Sequence, residues 1–122
     1  MTKDYQVEYD KFMESYKSQE TSAEQVGEMI SKLAQYFATY NQVLGGTWEA
    51  LAKISKEINA ETDEFSGKPI AANKAEVKTN ATPEASAHYS AKIDRENIEQ
   101  YINALKALQK GVMNEYSHMG GV

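Results

Sequence analysis

Apolar residues recur every three or four positions along three stretches of this chain, the spacing at which side chains share one face of an α-helix. In the first stretch, about residues 3–19, Tyr5, Tyr9, Phe12, Met13 and Tyr16 fall on one face, and Thr2 is placed to cap it. The second stretch, about residues 22–62, carries Val26, Met29, Ile30, Leu33, Phe37, Tyr40, Leu44, Trp48, Leu51, Ile54 and Ile58. At its start Thr21 with Glu24, and Ser22 with Gln25, each have the spacing of a capping box. The third begins at Thr82-Pro83-Glu84. There a capping threonine precedes a proline at the first helical position and a glutamate that complements the helix dipole. Its stripe is Tyr89, Ile93, Ile98, Tyr101, Ile102, Leu105, Leu108, Val112, Met113 and Tyr116, ending at about residue 117 before closing glycines. The stripe shifts by one residue between Ile93 and Ile98, beside Asp94 and Asn97.

Gly45-Gly46 interrupts the middle of the second stretch and poses the main question of architecture. One reading is a turn, with Gly45 just past a helix C-terminus and Thr47 capping a new helix. The other is one helix running straight through. A turn would release the phase of the apolar stripe. Instead the steps from Ile30 to Ile58 run three, four, three, four, four, three, three, four across the glycines. Two interior glycines cost about 2 kcal/mol relative to alanine, which packing along so long a helix can exceed. The phase therefore predicts a continuous helix. On that reading the glycines let a second backbone approach closely, and Trp48 is expected to be buried against another helix.

Between residues 63 and 82 the periodicity stops. "DEFSGKPIAANKAEVKTNAT" holds Gly67, Pro69 and scattered polar residues, and reads as a long connection with room for one helical turn near "AANKAEV". Loops this long usually serve a function. Asn80-Ala81-Thr82 has the spacing of a glycosylation acceptor, for which coincidence is the better account in a chain that opens without a signal peptide. The pattern predicts a single all-α domain over residues 1–122: an antiparallel helical hairpin with an additional short N-terminal helix. The alternative is a compact four-helix bundle turning at Gly45-Gly46.

Composition narrows the function. The 122 residues suit one domain, and average apolar and charged content suits a folded chain. With no cysteine, disulfides and thiolate metal sites are excluded. A net charge of −5 without a basic stripe argues against nucleic acid as a partner. No apolar run reaches the ~18–20 residues that span a bilayer. The first residues are charged throughout, unlike a secretory signal. The chain is expected to be cytoplasmic as synthesised, and any export would need a route independent of a signal peptide.

Candidate chemistry is sparse. Glu115 and His118 stand three apart, as in the Glu-x-x-His pairs of di-iron bundles. That site needs two such pairs, and Glu84 and His88 are four apart. Glu57, Glu61, Asp63 and Glu64 do not have the spacing of a calcium loop. There is no nucleophile elbow and no phosphate-cradling glycine loop. No catalytic residue, metal site or cofactor is expected, and the chain reads as non-enzymatic.

Interaction remains. Eight tyrosines and one tryptophan are residue types that favour protein interfaces. The candidate interaction residues are Tyr5, Tyr9, Phe12, Tyr16, Tyr36, Tyr40, Gly45, Gly46, Trp48, Tyr101 and Tyr116. The expectation is a structural or assembly subunit that self-associates, or packs into a larger assembly, through apolar-aromatic helix faces. The alternative is a small acidic helical binding module, a chaperone, adaptor or inhibitor, docking on one protein partner.

Two motifs carry a resemblance. Gly45-Gly46-Thr47-Trp48 holds, in reversed order, the elements of the Trp-x-Gly turn of the WXG family of type VII secretion substrates. Tyr16-Lys17-Ser18-Gln19-Glu20 has the Tyr-x-x-x-Glu spacing of that family's export signal, here near the start of the chain. The layout also resembles the needle and filament subunits of type III secretion, which share a long hairpin, no cysteine and no signal peptide. The resemblance implies a small exported hairpin that works by assembly, and it carries over no functional residue.

Overall fold

The computed structural model describes residues 3–18 and 21–120, with side chains described up to residue 114. The fold is all-α, with four helices among the described residues: α1 (Asp4–Ser18), α2 (Ala23–Asn59), α3 (Ala72–Asn80) and α4 (Pro83–Gly120). No strand forms among the described residues, and the one β-bridge, Thr62 to Pro69, is isolated.

Local chemistry sets each boundary. Thr2 lies outside the described residues; α1 opens instead with the Lys3 backbone N–H donating to Gln6 Oε1 at 2.9 Å. Asp4 in its first turn and Lys17 in its last both complement the helix dipole. Of the two candidate boxes before α2, the Ser22/Gln25 pair forms. Ser22 N–H donates to Gln25 Oε1 at 2.9 Å, and Gln25 N–H donates to Ser22 Oγ at 3.2 Å. At α4, Ala85 N–H donates to Thr82 Oγ1 at 3.2 Å, and that hydroxyl donates to the Thr79 carbonyl at 2.7 Å. One threonine thus caps α4 and ties it to the end of α3.

The glycine question is settled in favour of continuity. α2 runs through Gly45-Gly46, and Gly67 is the one described residue with positive φ, at 70°. The turn at Gly45-Gly46, and the bundle built on it, is therefore not adopted.

Three features differ from the periodicity reading. Helix α4 continues to Gly120 rather than ending at about residue 117, so the first closing glycine lies inside the helix. α2 stops at Asn59 rather than about residue 62, because residues 61–70 close on themselves. Asp63 N–H donates to Lys68 O at 2.7 Å, Gly67 N–H to Asp63 O at 2.9 Å, and Ile70 N–H to Glu61 O at 3.1 Å. The expected loop over 63–82 also contains α3, longer than the single turn allowed for. It has no apolar stripe; it packs by Ala75 and Thr79, both buried and four residues apart, with Val77 left 71% exposed. Thr79 donates its hydroxyl to Ala75 O at 2.7 Å, so the buried polar group is satisfied.

The packing divides into two compact units that share α2 and α4: residues 1–39 with 96–122, and residues 40–95. In the first, Tyr5, Val26, Met29, Leu33, Ile98 and Leu105 are buried. Gln109 Nε2 there donates to Ala23 O at 3.0 Å. In the second, buried positions are few and, apart from Ile58, small or polar: Ile58, Ala75, Thr79, Ala91 and Asp94. The shift in the α4 stripe has its counterpart here. Ala91, Ile98 and Leu105, spaced by sevens, are buried, whereas Tyr89 and Ile93 fall on another face and are 66% and 39% exposed.

Candidate interaction surface

The aromatic candidates split between the two units. In the first, Tyr5 is fully buried, its ring 6.3 Å from Tyr36 and 6.0 Å from Tyr101. Tyr9 stacks on Tyr101 at 4.0 Å with rings 5° from parallel. Tyr9, Tyr36 and Tyr101 are half-buried. These four tyrosines are a cluster within the unit, joining α1 to α2 and α4, so the face of α1 that reads as a candidate surface serves its own fold. Burial first, then the neighbouring Tyr101 and Asp10, raises the Tyr9 hydroxyl above its ordinary pKa. Phe12 lines a shallow groove with Met29 and Lys32. Tyr16 and Tyr40 are half-buried, and the side chain of Tyr116, like those of Glu115 and His118, lies outside the described residues.

The glycines and Trp48 belong to the second unit, and there the structure departs from expectation. Trp48 is 62% exposed, not buried against another helix. A Cβ at Gly45 or Gly46 would meet nothing within 4 Å, so no described part of the chain makes the close approach expected beside them. For the glycines the physical reason is rotational position. Leu44, Leu51 and Ile54 turn to the half-buried side of α2, whereas Gly45 and Gly46 lie on its exposed side. Trp48 shares the side of Leu44 and Leu51, but faces the grooves beside α3 and α4 rather than a covering helix.

Trp48 sits where two open grooves meet. One runs between α2 and α4 and is lined by Leu44, Gly45, Trp48, His88, Lys92 and Arg95. The other runs between α2 and α3 and is lined by Trp48, Leu51, Ala52, Ser55, Glu76 and Thr79, among others. His88, weighed above as a ligand, faces Thr47 instead, with Nδ1 3.3 Å from the threonine Oγ1. The same hydroxyl lies 3.0 Å from Leu44 O, to which it can donate. Among the described residues no cluster of three or more His, Cys, Asp or Glu side chains is placed to hold a metal ion.

Further exposed apolar groups belong to the same unit. Val43, Tyr89 and Val77 are 44%, 66% and 71% exposed, and Phe65 is 93% exposed. Phe65 stands on a braced turn: Asp63 Oδ1 accepts from Phe65 N–H at 2.8 Å and Ser66 N–H at 3.2 Å, and Lys74 Nζ lies 3.1 Å from Asp63 Oδ2. Lys78 pairs with Glu61 on the same connection. The backbone donor from Phe65, followed by Lys74, holds the Asp63 carboxyl below its ordinary pKa. Sequence periodicity missed Phe65 because it stands alone in a polar segment. It did place Tyr89 and Ile93 on an apolar stripe, and the one-residue shift after Ile93 was the visible sign that they face elsewhere.

Among the described residues no helix is long and apolar enough to cross a membrane. Compared with protein-family models, curated proteins and solved structures, the chain matches none.

Proposed function

We propose that this protein is a non-enzymatic helical subunit that self-associates through the apolar-aromatic surface of its 40–95 unit. The observation that carries the reading is Trp48. It is the single tryptophan of the chain, it lies mid-helix, and 62% of it faces solvent at the meeting of two grooves. Large aromatic side chains anchor interfaces because each removes much apolar area from water at small conformational cost. Burying the rest of one indole is worth about 2–3 kcal/mol. The contrast between the units supports the reading. The 1–39/96–122 unit buries Val26, Leu33, Ile98 and Leu105 completely, while the 40–95 unit leaves Trp48, Tyr89 and Phe65 open. Sedimentation equilibrium at two concentrations a hundredfold apart tests it. Mass should rise with concentration, and a monomer at both would refute self-association.

A second reading, a small binding module for a different protein, is favoured by Phe65. An aromatic ring 93% exposed on a hydrogen-bonded turn is shaped to enter a pocket on a partner. Replacing Phe65 with Ala separates the readings: it leaves self-association through the Trp48 grooves intact and removes docking on a foreign pocket.

A further inference from the structure

We infer that a second copy of this chain docks on the Trp48 side of the 40–95 unit, the two α2 helices crossing antiparallel about a two-fold axis at Trp48. The inference rests on the self-association proposed above and specifies its surface and symmetry. Its ground is the layout of the two grooves that share Trp48. In the α2–α4 groove the permanently charged lining residues are Lys92 and Arg95, both cationic. In the α2–α3 groove the one charged lining residue is Glu76. The first groove meets α2 at Asn41, Leu44 and Gly45, before Trp48; the second meets it at Leu51, Ala52 and Ser55, after Trp48.

A two-fold axis that sets Trp48 opposite its own copy also sets each residue before it opposite the residue equally far after it. Gly45 then faces Leu51 of the second copy, and Leu44 faces Ala52. The Lys92/Arg95 groove of each copy covers the Glu76 groove of the other. An isologous contact makes every such pair twice, so the match of cation to anion is doubled. A parallel arrangement would lay cations on cations and is disfavoured by the same charges. A foreign helix would have to bring its own matching charges to each groove. A second copy already carries them, in the order that the two-fold axis demands. The open space at Gly45 leaves room for Leu51 of the second copy.

The test uses the whole chain. Trp48 is the sole tryptophan, so indole emission reports on this surface alone. As concentration rises the emission should shift to the blue, with the same midpoint as the rise in mass by sedimentation equilibrium. Lys92→Glu and Glu76→Lys change exposed side chains, and each should weaken self-association about tenfold by setting like charges opposite one another. An equimolar mixture of the two variants should recover the affinity of the unmodified chain, because both charge pairs of the mixed dimer are then opposite in sign. Circular dichroism confirms that each variant keeps its helix. Two results overturn the geometry while leaving self-association standing: mass that rises without an emission shift, or a mixture no tighter than its components. A monomer at every concentration overturns both proposals.

Discussion

Gly45 and Gly46 sit mid-helix with open space where a side chain would be, so alanine at either meets no neighbour. Each substitution should stabilise the isolated chain by about 0.8–1 kcal/mol, read as a higher midpoint in urea. Gly27 is a contrasting case. A Cβ there would lie 2.9 Å from Gln109 Nε2, whose hydrogen bond to Ala23 O would have to shift. Gain in propensity and loss of one hydrogen bond are of similar size, so Gly27→Ala should change stability by less than about 1 kcal/mol. Asp63 gives a pH prediction. Its folded carboxyl titrates below its ordinary value of 3.8, chiefly because Phe65 N–H and then Lys74 favour the charged form. Its contribution is thus fully present above that ordinary value and is lost as pH falls through the lower folded one. Amide exchange at Phe65 and Ser66 should show the turn intact at about pH 5 and loosening only below the ordinary carboxylate range. In Asp63→Asn that dependence on pH should vanish.

Helix α2 shows how far one element can be read in advance. The unbroken three-and-four steps from Ile30 to Ile58 favoured one rotation throughout over a turn, and the helix is continuous through both glycines. Spin labels at Asn41 and Lys56, fifteen residues apart within the 40–95 unit, should be separated by about 22 Å at 1.5 Å per residue. A distance near half of that would mean that the chain folds back at the glycines. Helix α3 escaped the same reasoning because its buried positions, Ala75 and Thr79, are too small and too polar to make a stripe. Propensity could suggest a helical turn there, but only contact with the rest of the unit selects Ala75 and Thr79 as its inner side. In α4 the capping signal Thr82-Pro83-Glu84 set the start, and Thr82 Oγ1 takes the bond from Ala85 that the signal called for.

Across the whole molecule, burial is uneven, and stability should follow it. Leu33 is fully buried in the 1–39/96–122 unit, so Leu33→Ala should cost about 2–5 kcal/mol, whereas Trp48→Ala should cost a dilute chain far less. Hydrogen exchange in dilute solution should be slower at residues 26–33 and 98–105 than at residues 43–52 and 86–93, because opening the second region exposes less apolar area. Raising the concentration should slow the second region selectively if a second copy covers it. The all-α class and the start of α4 were legible in the sequence alone, since periodicity and capping are local properties of the chain. For α2 the phase of the stripe favoured continuity and left a turn at Gly45-Gly46 as the alternative. The same patterns offered Tyr5 and Trp48 as equal aromatic candidates. Only the tertiary structure separated them, burying Tyr5 between Tyr36 and Tyr101 and leaving Trp48 62% exposed. An apolar stripe states that a face needs covering. Which faces the chain covers for itself depends on where its other helices lie, and that is decided by contacts between residues far apart in sequence.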